Sequence, residues 1–151
     1  MKIAFKCILA ITTACILAPG IASAQQLITT CGASKGKAFY LEPTKDGWVD
    51  DGISGGSLTF FRYPSGEYDV IFKDVLQTRS ARESGAQVVR VLGHSDTVAT
   101  FIVVYPIQVA EMYQLTLDDG GRGTLIWSSF KNRSAPLGIT RGAVFVSDCS
   151  R

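Results

Sequence analysis

The sequence predicts an all-β fold: a single antiparallel meander domain of about eight strands, closed as a barrel or folded into a two-sheet sandwich. Three observations predict it. Short apolar runs alternate with period two, clusters of Gly, Pro, Asp and Asn separate those runs, and no stretch carries the period of a long amphipathic helix.

The elements follow in order. After a polar lead-in at residues 25–37, a short strand is expected at 38–42. Strands at 57–63 and 67–73 are joined by Pro64-Ser65-Gly66, where Pro presets one turn angle and Gly accepts positive φ. In the second of these strands Tyr68, Val70 and Phe72 share one face, which leaves Asp69 and Lys73 on the wet one. The polar residues 77–84 read as a loop or one helical turn. Strands at 86–92 and 97–105 are expected about a turn at 93–96. The run Phe101-Ile102-Val103-Val104-Tyr105 has no polar break. Such a run belongs to a central strand covered on both faces or to a hidden interface, and we expect the central strand. At 111–118 alternation returns, with Tyr113, Leu115 and Leu117 opposing Gln114 and Thr116. The turn Asp119-Gly120-Gly121-Arg122-Gly123 leads into a strand at 124–130. A second long loop at 131–141 precedes the last strand, 143–148.

The first 24 residues have the make-up of a secretory signal. Lys2 and Lys6 form a positive start, residues 7–17 are apolar, and Ala22-Ser23-Ala24 offers small residues for cleavage before Gln25. The apolar stretch is shorter than the roughly 20 residues that span a bilayer, so no stable membrane insertion is expected. Cleavage leaves residues 25–151 as one β domain. Removing Lys2 and Lys6 from the 15 Lys and Arg leaves 13, against 13 Asp and Glu. A neutral chain has no electrostatic footprint for nucleic acid. Of the four cysteines, Cys31 and Cys149 survive cleavage. In the oxidising compartment that a signal implies, a Cys31–Cys149 disulfide joining the N- and C-terminal regions is the expected pairing. With no C-x-x-C pair, it is a structural staple and not a redox site.

No coherent catalytic set emerges. Gly52-Ile53-Ser54-Gly55-Gly56 matches the G-x-S-x-G nucleophile turn, but that turn needs a strand before it and a helix after it, and here a strand follows. His94 is the sole histidine and falls in an expected turn beside Asp96. One His and two bonded Cys remove the usual transition-metal ligands, and the Asp46 to Gly52 segment lacks the bidentate Glu of a calcium loop. We therefore expect no metal and no cofactor. Asp50-Asp51 and Asp118-Asp119 are adjacent pairs whose members point apart on an extended chain. They are the first carboxylates to consider for an enzyme acting on envelope carbohydrate. Asn132-Arg133-Ser134 is a sequon, relevant only where a host glycosylates it. Among the aromatics, most belong to the core. Trp48, Ser54, Tyr63, Ser65 and Tyr68, beside glycine-containing turns, are the candidate binding rim.

Two resemblances add to this reading. Trp48-Val49-Asp50-Asp51-Gly52-Ile53-Ser54-Gly55-Gly56, Tyr105-Pro106, Glu111-Met112-Tyr113 and Asp148-Cys149 together resemble a group of small exported bacterial proteins of uncharacterised activity. That resemblance implies a periplasmic or secreted location. Ser65-Gly66-Glu67-Tyr68 is similar to the loop that small β-barrel lysozyme inhibitors of bacterial periplasms push into the enzyme's cleft. Their second signature, a Tyr followed by a Lys-Gly turn, is missing after Tyr113. The expected function is that of an exported, non-enzymatic β-domain that binds a small apolar molecule in a barrel or a protein through its surface. The alternatives are a lysozyme-inhibitor-like protein and the carboxylate enzyme.

Overall fold

The computed structural model describes residues 24–41, 47–95, 97–106, 109–132 and 140–151, with the side chains of 92–94 excepted. The signal segment before residue 24, Asp46, Asp96, the His94 side chain and most of the expected loop with its sequon lie outside the described residues.

Ten strands form: β1 (Gln26–Tyr40), β2 (Gly47–Ile53), β3 (Ser57–Arg62), β4 (Tyr68–Lys73), β5 (Thr78–Ser80), β6 (Gln87–Ser95), β7 (Val98–Tyr105), β8 (Val109–Leu117), β9 (Gly123–Lys131) and β10 (Arg141–Ser150). All neighbours pair antiparallel in one sheet, in the order β5-β4-β3-β1-β10-β9-β8-β7-β6, with β2 also on β1. The sheet curls into a half-barrel. Neither a second packed sheet nor a helix occurs among the described residues, so the all-β expectation is met by one curled sheet.

Two meanders, β3-β4-β5 and β6 to β10, are stitched together by β1. Its first half pairs β3 and its second half pairs β2, while β10 runs along its other side. The switch falls at a register shift between Cys31 and Ser34, a bulge that bends the strand from one partner to the next. Cys31 stands directly opposite Cys149 there, and the two form the disulfide. Farther along, Gly36 lets the backbones close up: a Cβ on it would lie 2.0 Å from the Val144 carbonyl oxygen.

The structure corrects several expectations. Residues 26–37 are no polar lead-in but most of β1, because its inward positions carry small side chains, Thr29, Cys31, Ser34 and Ala38, all buried. Residues 47–53 are a strand that the glycine-rich reading missed. Residues 77–84 hold the three-residue β5 and then one tight turn, closed by Ser84 N–H donating to the Ser80 carbonyl at 3.1 Å. Residues 93–95, expected in a turn, continue β6 past a register shift. Strand β7 is not covered on both faces. Ala99, Phe101 and Val103 are buried while Val98, Ile102 and Val104 are exposed, so the unbroken apolar run still obeys period two.

The inner face is filled by rings in series. Tyr68 meets Phe101 at 5.5 Å, Phe101 meets Phe60 at 5.2 Å, Phe60 meets Tyr113 at 5.5 Å, Tyr113 meets Trp127 at 5.7 Å and Trp127 stacks on Phe145 at 4.4 Å. The ring series ties β4 to β10 across the interior, each contact contributing about 0.5–1.5 kcal/mol beyond simple burial. Where β4 comes close to β6, Arg90 donates to the Tyr68 hydroxyl at 3.2 Å.

Candidate binding rim at the β3–β4 hairpin

Asp69 is the hub of the site. Although it sits in an alternating strand opposite Tyr68, it is 1% exposed, because the turn after β5 folds over it. This overturns the expectation of a solvated Asp69. Its Oδ1 accepts from the Val70 N–H at 2.8 Å and the Arg82 N–H at 3.2 Å; its Oδ2 accepts from Ser80 Oγ at 2.6 Å and the Tyr63 hydroxyl at 3.2 Å. Four donors satisfy a carboxylate that burial would otherwise penalise. They also lock three stretches of chain together.

Above this hub the hairpin tip is tightly built. Tyr63 N–H donates to the Glu67 carbonyl at 2.8 Å and Gly66 N–H to the Tyr63 carbonyl at 2.9 Å, with Gly66 at φ +87°. Pro64 and Ser65 thus turn the chain and Gly66 takes the left-handed position that returns it to β4. Ser65 Oγ donates to Glu67 Oε2 at 2.9 Å, Arg82 donates to the same oxygen at 3.0 Å, and the Arg82 guanidinium lies 5.0 Å from the Tyr63 ring centre. The Glu67–Arg82 pair is exposed, so it orients the tip more than it stabilises the fold. Together with Ser80 and Glu83 these residues line an open concavity of about 520 Å³.

Hydrogen bonds from Arg82 and then Ser65 hold the Glu67 carboxyl below the usual carboxylate range. Burial, and next the Asp69 carboxylate, push the Tyr63 phenol up. Glu67 therefore stays ionised and cannot serve as a general acid near neutrality. The Ser80 hydroxyl donates its hydrogen bond to Asp69 and accepts from the Glu83 N–H at 3.1 Å. What the rim offers is a carboxylate, a guanidinium, a phenol edge and a serine hydroxyl on a hydrogen-bonded hairpin tip.

The five residues singled out from the sequence fall in different places. Tyr63 and Ser65 line the concavity. Tyr68 turns inward among the core rings. Trp48 lies on β2, 66% exposed, with its ring edge-on to Phe39 at 5.5 Å. Ser54 is exposed in the β2–β3 connection, which runs from strand to strand and so has no nucleophile-elbow geometry. Sequence reasoning missed Asp69, Ser80, Arg82 and Glu83. The one available signal was an acid between Tyr68 and Val70 in an otherwise apolar strand.

The adjacent carboxylates are engaged elsewhere. Asp50 and Asp51 point to opposite sides, Asp50 to Lys37 at 2.6 Å and Asp51 to Arg141 and the Tyr40 hydroxyl. Asp118 accepts from the Arg122 N–H at 2.9 Å and closes the β8–β9 turn beside a second open concavity of about 470 Å³. No group of three or more His, Cys, Asp or Glu among the described residues could hold a metal ion. No described helix is long and apolar enough to cross a membrane. Comparison with protein-family models, curated proteins and solved structures finds no match to the chain.

Proposed function

We propose that the chain is an exported, non-enzymatic β-domain that binds a protein partner through the rim formed by Tyr63, Ser65, Glu67 and Arg82. The observation that carries this reading is the ring series from Tyr68 to Phe145. Those rings occupy the side of the sheet where a small apolar molecule would sit, and they favour a surface partner over an internal ligand. The signal-like first 24 residues and the Cys31–Cys149 bond support export to an oxidising compartment, periplasmic or extracellular.

A narrower form of the reading is lysozyme inhibition. Ser65-Gly66-Glu67 stands at the tip of a rigid hairpin, a shape suited to entering a cleft, and preorganisation of that kind lowers the entropic cost of binding. One set of measurements tests both forms. Mature protein is passed over immobilised lysozyme and over extract of the native compartment, and lysis of cell walls by lysozyme is followed with the protein in excess. A bound protein lost on both Tyr63→Ala and Arg82→Ala is the expected result. Slowed lysis identifies the inhibitor. Native mass spectra showing a retained apolar small molecule, with no protein bound, would sink the proposal.

A further inference from the structure

The outer face of β6 to β10 is unusual for the wet side of an antiparallel sheet, where outward positions are ordinarily polar. Following the pairing across the strands, Val89, Ile102, Met112, Ser128 and Val144 stand side by side in one outward row. On β9, Ile126 and Phe130 flank Ser128 in the rows on either side, and Phe130 is 59% exposed. Ser128 itself is only 9% exposed, so the larger side chains around it form a dimpled apolar surface. In these three rows no charged residue occurs between β6 and β10; charge begins beyond them, at Lys35, Lys37 and Asp50 on β1 and β2.

We infer that this face is covered by the same face of a second copy, giving an isologous dimer. Two features select that occupant. A patch without charge meets itself across a two-fold axis with no like-charge contact, and residues 25–151 carry 13 positive and 13 negative side chains, so two copies approach without net repulsion. An anionic membrane or a charged partner finds no complementary group on it. The area sets the strength of the contact. Five strands about 4.8 Å apart and three outward rows about 7 Å apart give roughly 500 Å² per copy. Because the sheet curls with the core rings inside, this outer face is convex, so two copies meet over part of it and bury less than about 1,000 Å², which makes the dimer weak and transient.

The rim at Tyr63 is a separate surface, and this inference stands apart from the proposal made for it. Sedimentation velocity on the mature, disulfide-bonded protein across the micromolar range tests it. A concentration-dependent monomer–dimer equilibrium is expected, weakened at least about tenfold by Met112→Lys and by Phe130→Lys, each with an unchanged far-UV circular dichroism spectrum. Leu76→Lys, in the exposed β4–β5 turn, and the rim variant Arg82→Ala are expected to dimerise like wild type. A monomer at every concentration, lysine variants that dimerise normally, or wild-type monomer that instead collects on phosphatidylcholine vesicles would each overturn the dimer.

Discussion

At the scale of single residues, Asp69 organises the site because its two oxygens accept from four donors that come from three stretches of chain. Asp69→Ala strands two hydroxyls and two backbone N–H groups in a buried place, and hydrogen bonds to charged groups contribute about 1.5–3 kcal/mol each with strong non-additivity. We expect a loss of about 3 kcal/mol in urea denaturation, together with loss of rim binding. Ser65→Ala is expected to weaken binding with little change in stability, since Ser65 is exposed and donates to the exposed Glu67. If Asp69→Ala unfolded at the wild-type midpoint, Asp69 would not be the hub described. The alternation of β4 gave the side of the sheet on which Asp69 lies, but burial of that side came from residues that arrive from beyond β5.

At the scale of elements, β1 and β10 are held twice, by a ladder of backbone pairs and by a disulfide at directly opposed positions. The covalent link acts mainly on the unfolded chain, in which it closes a loop spanning a sequence separation of 118. The paired Cys31→Ala, Cys149→Ala variant is expected to keep the far-UV spectrum of the sheet and to lose about 4 kcal/mol, read as a lower midpoint in guanidinium. An unchanged midpoint would show that the ladder alone constrains the termini. The first half of β1 was not legible as a strand, because its inward residues are small or polar and acquire burial through β3 and β10 on either side; β2 was not, because it pairs β1 alone and none of its residues is buried. β3, β4 and β6 to β10 were legible within a few residues, because apolar side chains recur at every second position whatever the partner.

At the scale of the whole molecule, the half-barrel buries tyrosines beside acids, and this fixes how stability depends on pH. Burial first, and then Glu111, whose carboxylate accepts from Tyr113 at 2.5 Å, raise the Tyr113 phenol well above its ordinary value of 10.0. Tyr105 is raised for the same reasons in the same order. A raised phenol keeps its proton in the folded state while the unfolded chain releases one, so this contribution is fully present below pH about 10 and is lost as pH climbs toward the folded values. Tyrosinate absorbance at 295 nm is expected to rise for these two residues only with cooperative alkaline unfolding. Smooth titration of every tyrosine near pH 10 in a folded protein would contradict the buried placement.

The chain by itself determined the all-β class, the antiparallel hairpins and the inward set of most strands, because alternation and turn chemistry are local properties of neighbouring residues. The cysteine count determined the staple. Only the tertiary structure decided that one sheet curls instead of two sheets packing, that Tyr63, Ser65, Glu67 and Arg82 gather over Asp69, and that the outer residues of β7 to β10 lie bare. Those outcomes depend on which distant strands pair and what folds over them, a choice made by long-range contacts that no short window of sequence contains.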